Sequence, residues 1–306
     1  MVQKKEQQQI TKSAEQKKTV GHFINKEAEI KFLGIYDKAM EQWPSSRQEI
    51  DIETSYGLTH VYSFGAKDGI PIVLLHGANG TSASWANFVV ELGKNHPVFA
   101  VDTIGDAGKS IQKSPIQRAE DYSSWLDEVL TALDVTKVHL IGASYGGWIT
   151  LNQAVHSPQL LQSITLIEPA RALAGLKFIV WPFMIWASMI GPDFVRKAFI
   201  YWSSAGSYSN ELQQELVVSA MREYKMQRIL PQYICDEELQ SVKIPTLVLL
   251  GGKSPMHNSK RAAARAKKLL QNFEVEILPK AGHQLPADLV NDRILRFIEY
   301  EKKSFK

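Results

Sequence analysis

Residues 140–148, LIGASYGGW, join the end of an apolar run to the start of a helical pattern. Within them Gly142, Ser144 and Gly146 form the pattern G-x-S-x-G. A serine on a sharp strand-to-helix turn is held in a strained conformation, and its neighbours two positions away must be small so that strand and helix can approach. The helix N-terminus also favours developing negative charge. The stretch therefore predicts a strand–turn–helix unit with a nucleophile at Ser144.

Apolar runs of strand length alternate with helical patterns on both sides of this unit. Six runs have this character: PIVLLH (71–76), VFAVD (98–102), KVHLIG (137–142), SITLIE (163–168), PTLVLL (245–250) and FEVEIL (273–278). Two further β-type runs precede them, EIDIE (49–53) and THVYSF (59–64), and these suggest a hairpin pair. Apolar strands that alternate with helices are typical of a parallel sheet covered on both faces. The sequence thus predicts an α/β fold with a mostly parallel, eight-stranded sheet and helices on both faces.

One interval breaks the alternation. Residues 169–240 contain no clear strand and are rich in Trp, Phe, Met and Tyr. We interpret them as a helical cap inserted after the sixth strand, although these helices could also simply pack on the sheet. The core then comprises residues 21–168 and 241–306, with a leading helix at 27–43.

An apolar run inside the predicted cap bears on the membrane question. FIVWPFMIWASMIG (178–191) has fourteen residues and an internal proline. A bilayer-spanning helix needs roughly 20 apolar residues. The run therefore predicts a buried or interfacial helix and no transmembrane segment.

Composition and charge exclude several function classes. The chain has 306 residues and a net charge of +3, and residues 1–20 alone hold five lysines and two glutamates. The charges of the remaining 286 residues balance to zero, so there is no basic face that would suggest binding to nucleic acid. Residues 1–20 are predicted to be a disordered basic tail. The tail has no apolar segment of a secretory signal. The single Cys235 excludes an internal disulfide and fits a reducing, cytoplasmic location.

Cofactor sites find no support in the sequence. The stretch GDAGKS (105–110) resembles the end of a phosphate-binding loop, but such a loop requires glycine where Thr103 stands. No G-x-G-x-x-G follows a predicted strand, and no group of residues has metal-ligand spacing. We expect neither a cofactor nor a metal.

A second loop faces the predicted nucleophile. In LLHGANGTSASW (74–85) a strand ends at His-Gly, which lets the backbone turn beneath Ser144. The N–H of Ala78 would then join that of Tyr145 in an oxyanion hole. His76 itself is expected to be a structural, hydrogen-bonding residue.

The base is predicted from a loop near the end of the chain. A seryl hydroxyl is a weak nucleophile at neutral pH and needs an imidazole to accept its proton. His283, in KAGHQLP (280–286), follows the last strand and lies downstream of Ser144. His257 is its rival, unless it is only a solvated loop residue.

With these motifs in place, the sequence from about residue 45 to 306 resembles the α/β-hydrolases, and within them the bacterial carboxylesterase-like members. Similar stretches are FLGIYDKAMEQWP (32–44), VDTIGDAGKS (101–110) and DEELQSVKIPTLVLLG (236–251). The resemblance implies a serine hydrolase with a helical cap, no cofactor and an acyl-enzyme on Ser144. Such proteins usually carry the triad acid three residues after the glycine that ends the seventh strand. Here that position is Ser254.

The missing carboxylate leaves three alternatives for the partner of His283. Glu168 ends the sixth strand at the sheet edge that carries Ser144, a position some α/β-hydrolase families use for the acid. Ser254 with an ordered water is the second alternative, and the absence of an effective acid is the third.

The predicted cap also suggests the substrate. Its apolar side chains carry no fixed charge, and apolar walls bury hydrocarbon or aromatic groups. We therefore expect a small, neutral, apolar ester bound by Phe178, Trp181, Phe183, Met184, Trp186 and Met189. A non-catalytic ligand-binding or receptor-like protein remains an alternative, as do cofactor-free perhydrolases and C–C bond hydrolases, which share the Ser/His frame.

Overall fold

The protein was analysed as a computed structural model, which describes residues 20–206 and 210–304. Its strands are β1 (His22–Phe23), β2 (Gln48–Thr54), β3 (Gly57–Gly65), β4 (Ile72–Leu75), β5 (Pro97–Val101), β6 (Ile111–Gln112), β7 (Val138–Ala143), β8 (Leu161–Ile167), β9 (Tyr224–Lys225), β10 (Thr246–Gly251) and β11 (Phe273–Leu278). The predicted tail at residues 1–20 lies outside the described residues except for Val20.

The central sheet has the order β11-β10-β8-β7-β4-β5-β3-β2, with the two-residue β6 paired to β3. The six strands from β11 to β5 are parallel to their neighbours, and β3 and β2 are antiparallel. The predicted mostly parallel sheet of eight strands is therefore confirmed. All eight predicted runs form its strands, and β6 adds a short ninth.

Helices cover both faces of the sheet. They are α1 (Lys26–Met40), α2 (Ala86–Leu92), α3 (Ala119–Ala132), α4 (Tyr145–His156), α5 (Val180–Ile185), α6 (Asp193–Ser203), α7 (Glu211–Glu223), α8 (Asp236–Ser241), α9 (Ser259–Leu269) and α10 (Ala287–Ser304), with a 3₁₀ turn at Ser82–Trp85 and a π turn at Trp186–Ile190. One buried cluster joins the sheet to α3, α4 and α9. The other joins it to α1, α2 and α10.

Between β8 and β10 the chain forms α5, the π turn, α6, α7 and α8. The predicted helical character of this interval matches these elements, but its two-residue β9 pairs with β1. Leu216 and Ala220 of α7 also join the buried cluster beneath α1. The division into a core and a cap at residues 169–240 stays a prediction.

The apolar run in this interval forms short helical elements. Across the described ranges, no helix combines the length and apolar character needed to cross a bilayer.

Candidate active site

The turn after β7 has the strained geometry that its glycines predict. Ser144 has φ 52° and ψ −110°, and α4 starts at the next residue. A Cβ on Gly142 would lie 2.2 Å from the carbonyl oxygen of Gly146, and one on Gly146 would lie 2.2 Å from that of Leu75. Side chains at either position would push β7, β4 and α4 apart. The two glycines therefore leave space for a serine with a positive φ at the edge of the sheet.

A continuous line of hydrogen-bonded side chains begins at this serine. The Ser144 Oγ lies 3.0 Å from Nε2 of His283. The Nδ1 of the same ring lies 2.8 Å from Oε2 of Glu168. The structure thus brings together Ser144, Glu168 and His283, although Ser144 and Glu168 precede His283 by 139 and 115 positions in the sequence.

The protonation states follow from the environment of Glu168, which is only 1 % exposed. Burial alone would raise the pKa of this carboxyl, but the hydrogen bond from His283 and its electrostatic attraction outweigh burial, so the pKa is lowered. An ionised carboxylate only accepts hydrogen bonds. Nδ1 of His283 therefore carries the proton, which leaves Nε2 free to accept from the Ser144 hydroxyl.

Neighbouring backbone fixes the carboxylate of Glu168. The Gly251 N–H, at the end of β10, donates to Oε1 over 2.6 Å. The Glu168 N–H donates to the Leu249 carbonyl over 2.9 Å, and its backbone has φ 48°. Since Oε1 is held by Gly251, Oε2 is presented to His283.

The exit of β10, where no acid occurs, supplies two buried polar residues instead. Ser254 is buried, and its hydroxyl helps to lower the pKa of Glu168. His257 is also buried, with Nε2 3.5 Å from Oε1 of Glu168. Burial lowers the pKa of His257, and the nearby carboxylate offsets this only in part. The expectation of a solvated loop histidine at position 257 is therefore wrong, because the loop folds back over Glu168.

The His-Gly loop lies against the nucleophile. A Cβ on Gly77 would lie 3.2 Å from the Cβ of Ser144. The Thr103 N–H donates to Nε2 of His76 over 3.0 Å, and Nδ1 of His76 donates to the Gly77 carbonyl over 2.8 Å. His76 thus has the structural role expected of it. Ala78 follows this turn and Tyr145 opens α4, so both flank Ser144, while their role as oxyanion donors stays a prediction.

The six predicted substrate-binding side chains have different surroundings. Phe183 and Met184 are half-buried against a small apolar cluster that contains Phe199. Arg171 lies over the Trp181 ring at 5.5 Å. Phe178 and Trp186 are exposed. The side chain of Met189 lies outside what the structure describes, and a substrate-binding role for the set stays a prediction.

Sequence reasoning missed an ion pair beside the turn. Nη1 of Arg228 donates to Oδ2 of Asp106 over 2.6 Å, and the guanidinium lies 4.6 Å from the centre of the Tyr145 ring. The Tyr145 hydroxyl donates to the Ile229 carbonyl over 2.7 Å. Arg228 belongs to an irregular segment without periodicity, and only its tertiary contacts reveal its place. The pair anchors this segment over the start of α4.

Within the described ranges, no group of three or more His, Cys, Asp or Glu residues could hold a metal ion.

Comparison with known proteins agrees with the fold. The model of the alpha/beta hydrolase family matches residues 72–295. The chain therefore belongs to the α/β-hydrolase family.

Within this family the chain is similar to carboxylesterases of Bacillus subtilis. It is 29% identical to carboxylesterase YbfK over 90% of this chain and 96% of YbfK. It is 30% identical to the uncharacterized carboxylesterase nap over 89% of this chain and 93% of nap. The crystal structure of naproxen esterase from Bacillus subtilis has a TM-score of 0.84 at 27% identity and covers 90% of this chain and 99% of the esterase.

Proposed function

We propose that the protein is a serine hydrolase that cleaves a neutral, apolar carboxylic ester through an acyl-enzyme on Ser144. The observation that carries this proposal is the line from the Ser144 Oγ through His283 to Glu168, with distances of 3.0 and 2.8 Å. A nucleophile, a base and a group that orients the base are the three parts that acyl transfer by a serine requires. The similarity to carboxylesterases supports the same reaction class.

Acylation begins when the Ser144 hydroxyl attacks the ester carbonyl carbon. Nε2 of His283 accepts the hydroxyl proton, and the carboxylate of Glu168 stabilises the resulting imidazolium. The N–H groups of Ala78 and Tyr145 donate to the oxyanion of the tetrahedral intermediate. When the intermediate collapses, Nε2 returns the proton to the leaving alkoxide, so the alcohol departs and an ester of Ser144 remains.

Deacylation repeats these steps with water as the nucleophile. Nε2 of His283 removes a proton from the water as its oxygen attacks the acyl carbon, and the same N–H groups hold the second oxyanion. Collapse releases the carboxylic acid and returns the proton to Ser144. No cofactor enters the balance.

The substrate class follows from the apolar segment that continues from the β8 exit. Residues 172–192 contain Lys177 as their single charged residue, and on their inner side Phe183 and Met184 pack against the apolar cluster that contains Phe199. Lys177 is tied down, since its Nζ donates to the Ser254 carbonyl over 3.0 Å. An acyl group bound by such a wall is neutral and hydrocarbon-rich.

We expect the rate to rise with acyl chain length from p-nitrophenyl acetate to octanoate. Each methylene that leaves water contributes about 0.8 kcal/mol, or roughly fourfold in kcat/KM, until the pocket is filled. Initial rates at 405 nm, corrected for the Ser144→Ala background, measure the profile. A flat profile from two to eight carbons would count against an apolar acyl pocket.

His257 is part of the same proposal, as a positioning residue that acts on Glu168. Its Nε2 lies 3.5 Å from Oε1 without forming a hydrogen bond, and burial lowers the pKa of the ring. Removal of this polar neighbour weakens the anionic form of Glu168 that stabilises the imidazolium of His283. A polar contact of this kind contributes about 0.7 kcal/mol, or roughly threefold, less than a full hydrogen bond to a charged group.

His257→Leu is therefore expected to lower kcat about threefold, whereas His257→Gln, which keeps a polar side chain beside Glu168, stays near the wild-type rate. Steady-state kinetics of both variants, with melting temperatures to check the fold, make the measurement. Equal rates for the two variants would show that only packing matters at this position.

The non-catalytic alternative drew its support from the missing carboxylate after β10. The hydrogen bond that Glu168 accepts from His283 supports the enzyme proposal instead. Hydrolysis of p-nitrophenyl acetate by the wild-type protein, lost in Ser144→Ala, tests the enzyme proposal directly. No turnover of any ester by the folded wild-type protein would favour a ligand-binding protein.

A further inference from the structure

The surface of residues 178–190 carries apolar side chains on its solvent side. Phe178, Pro182, Trp186 and Ile190 follow one another at intervals of four residues, and all four are exposed. Phe178 is 89 % exposed and Ile190 79 %. Residues four apart lie on one side of a helical segment. They form a continuous apolar stripe that faces away from the protein.

The neighbouring helix α6 extends this surface. Phe194, Lys197, Ala198 and Tyr201 are exposed at the spacing of a single helix face, and Phe194 is 70 % exposed. We call the two stripes together the apolar face, defined by Phe178, Ile179, Pro182, Ile185, Trp186, Ile190, Phe194 and Tyr201.

The apolar face is additional to the side that packs inward. Val180, Ala187 and Val195 are buried on the opposite side of the same segments, and Phe199 packs with them. An ordinary surface helix is apolar on the inner side and polar on the outer side. Large apolar patches on a protein surface mark sites that bind a protein or a membrane.

The charge around the apolar face distinguishes between these partners. From residue 169 to 206 the chain holds four basic residues and one acid, Asp193. Asp193 is already paired with Arg196 and Arg222. Lys177 and Arg196 are engaged within the protein, so the exposed cation on the stripe of α6 is Lys197. A partner surface that is negatively charged outside and apolar inside complements both the exposed lysine and the apolar side chains.

We propose that the apolar face docks this protein onto an anionic phospholipid surface. Trp186 and the aliphatic side chains would lie at the boundary of headgroups and acyl chains, and Lys197 would meet lipid phosphates. The segments lie in the plane of the surface and do not span it.

Docking would take place beside the candidate active site. The backbone N–H of His283 donates to the Ser203 carbonyl at the end of α6 over 2.9 Å. The Lys177 N–H donates to the Met256 carbonyl, and the Lys177 ammonium to that of Ser254. Both ends of the apolar face are thus tied to the loops that carry His283 and His257.

Flotation of the full chain with vesicles tests the proposal. We expect binding to vesicles with 30 % phosphatidylglycerol and at least tenfold weaker binding to pure phosphatidylcholine. The combined variant Ile190→Ser, Phe194→Ser, Tyr201→Ser should lose at least tenfold in partition coefficient. A matched variant, Ile30→Ser, Ile111→Ser, Leu289→Ser, changes exposed apolar residues elsewhere and should bind as the wild type does.

A single substitution controls for possible misfolding of the triple serine variant. Lys197→Glu changes one exposed side chain and should weaken binding to the anionic vesicles severalfold, with an unchanged melting temperature. Absence of wild-type binding would overturn the proposal. So would equal binding by the serine variant, since the basic residues near position 1 would then be responsible. A dimer that the serine variant abolishes, without vesicle binding, would instead assign the apolar face to a second copy.

Discussion

Replacing Ser144 with alanine is expected to lower kcat for a p-nitrophenyl ester by roughly 10⁶-fold, the size of effect that removal of a catalytic serine has in a serine protease. The variant retains His283, Glu168 and the oxyanion N–H groups, but it has no oxygen to attack the carbonyl. Only the catalysis from binding and from the oxyanion hole remains. Steady-state assays of the wild type and the variant at the same enzyme concentration measure the loss.

A matched control separates this effect from any general effect of Ser→Ala. Ser46 is exposed in the loop before β2, and Ser46→Ala should keep the wild-type rate. Alanine at position 144 must also adopt the positive φ of Ser144, which is unfavourable for any residue with a side chain. The melting temperature of the variant must therefore be compared with that of the wild type. A folded Ser144→Ala protein with substantial turnover would place the nucleophile elsewhere.

Glu168→Gln is expected to lower turnover by roughly 10⁴-fold while the fold survives. The amide retains an oxygen for the Gly251 N–H, but it no longer carries the charge that stabilises the His283 imidazolium. It can also present its NH₂ group to Nδ1, which forces the proton onto Nε2 and blocks acceptance from Ser144. Steady-state kinetics across pH 5–9 measure the loss.

Two further variants make this test specific. Glu53→Gln replaces an exposed glutamate of β2 and should leave the rate unchanged. Ser254→Asp, added to Glu168→Gln, should restore part of the rate because position 254 lies close enough to Glu168 to affect its pKa. Near-normal turnover by a folded Glu168→Gln protein would contradict the role of Glu168 and favour Ser254 with a water.

The fold could be predicted from the sequence because several of its parallel strands are buried on both faces. The strands β4, β7 and β10 are buried along almost their whole length and read as apolar runs, and the glycines around Ser144 are typical of the strand–turn–helix unit that carries a nucleophile. The short β6 and β9 carry no such signal. Each has only two residues, and each pairs with a strand that is distant in the sequence, β6 with β3 and β9 with β1.

The candidate site could be predicted only in part. Ser144 and His283 lie in loops that follow strands, and their partnership follows from chemistry. Glu168 could be placed at the correct edge of the sheet, but its hydrogen bond depends on the path of the loop that carries His283. The burial of His257 and the contact of Arg228 with Tyr145 depend on irregular segments, for which no periodicity exists to be interpreted.

Intact-mass spectrometry after treatment with a fluorophosphonate shows whether Ser144 is the nucleophile. The reagent forms a covalent phosphonate with an activated serine and leaves ordinary serines unmodified. We predict one adduct per wild-type chain, located at Ser144 by peptide mapping, and no adduct on Ser144→Ala. Labelling of a different serine, or continued labelling of the folded Ser144→Ala protein, would contradict it.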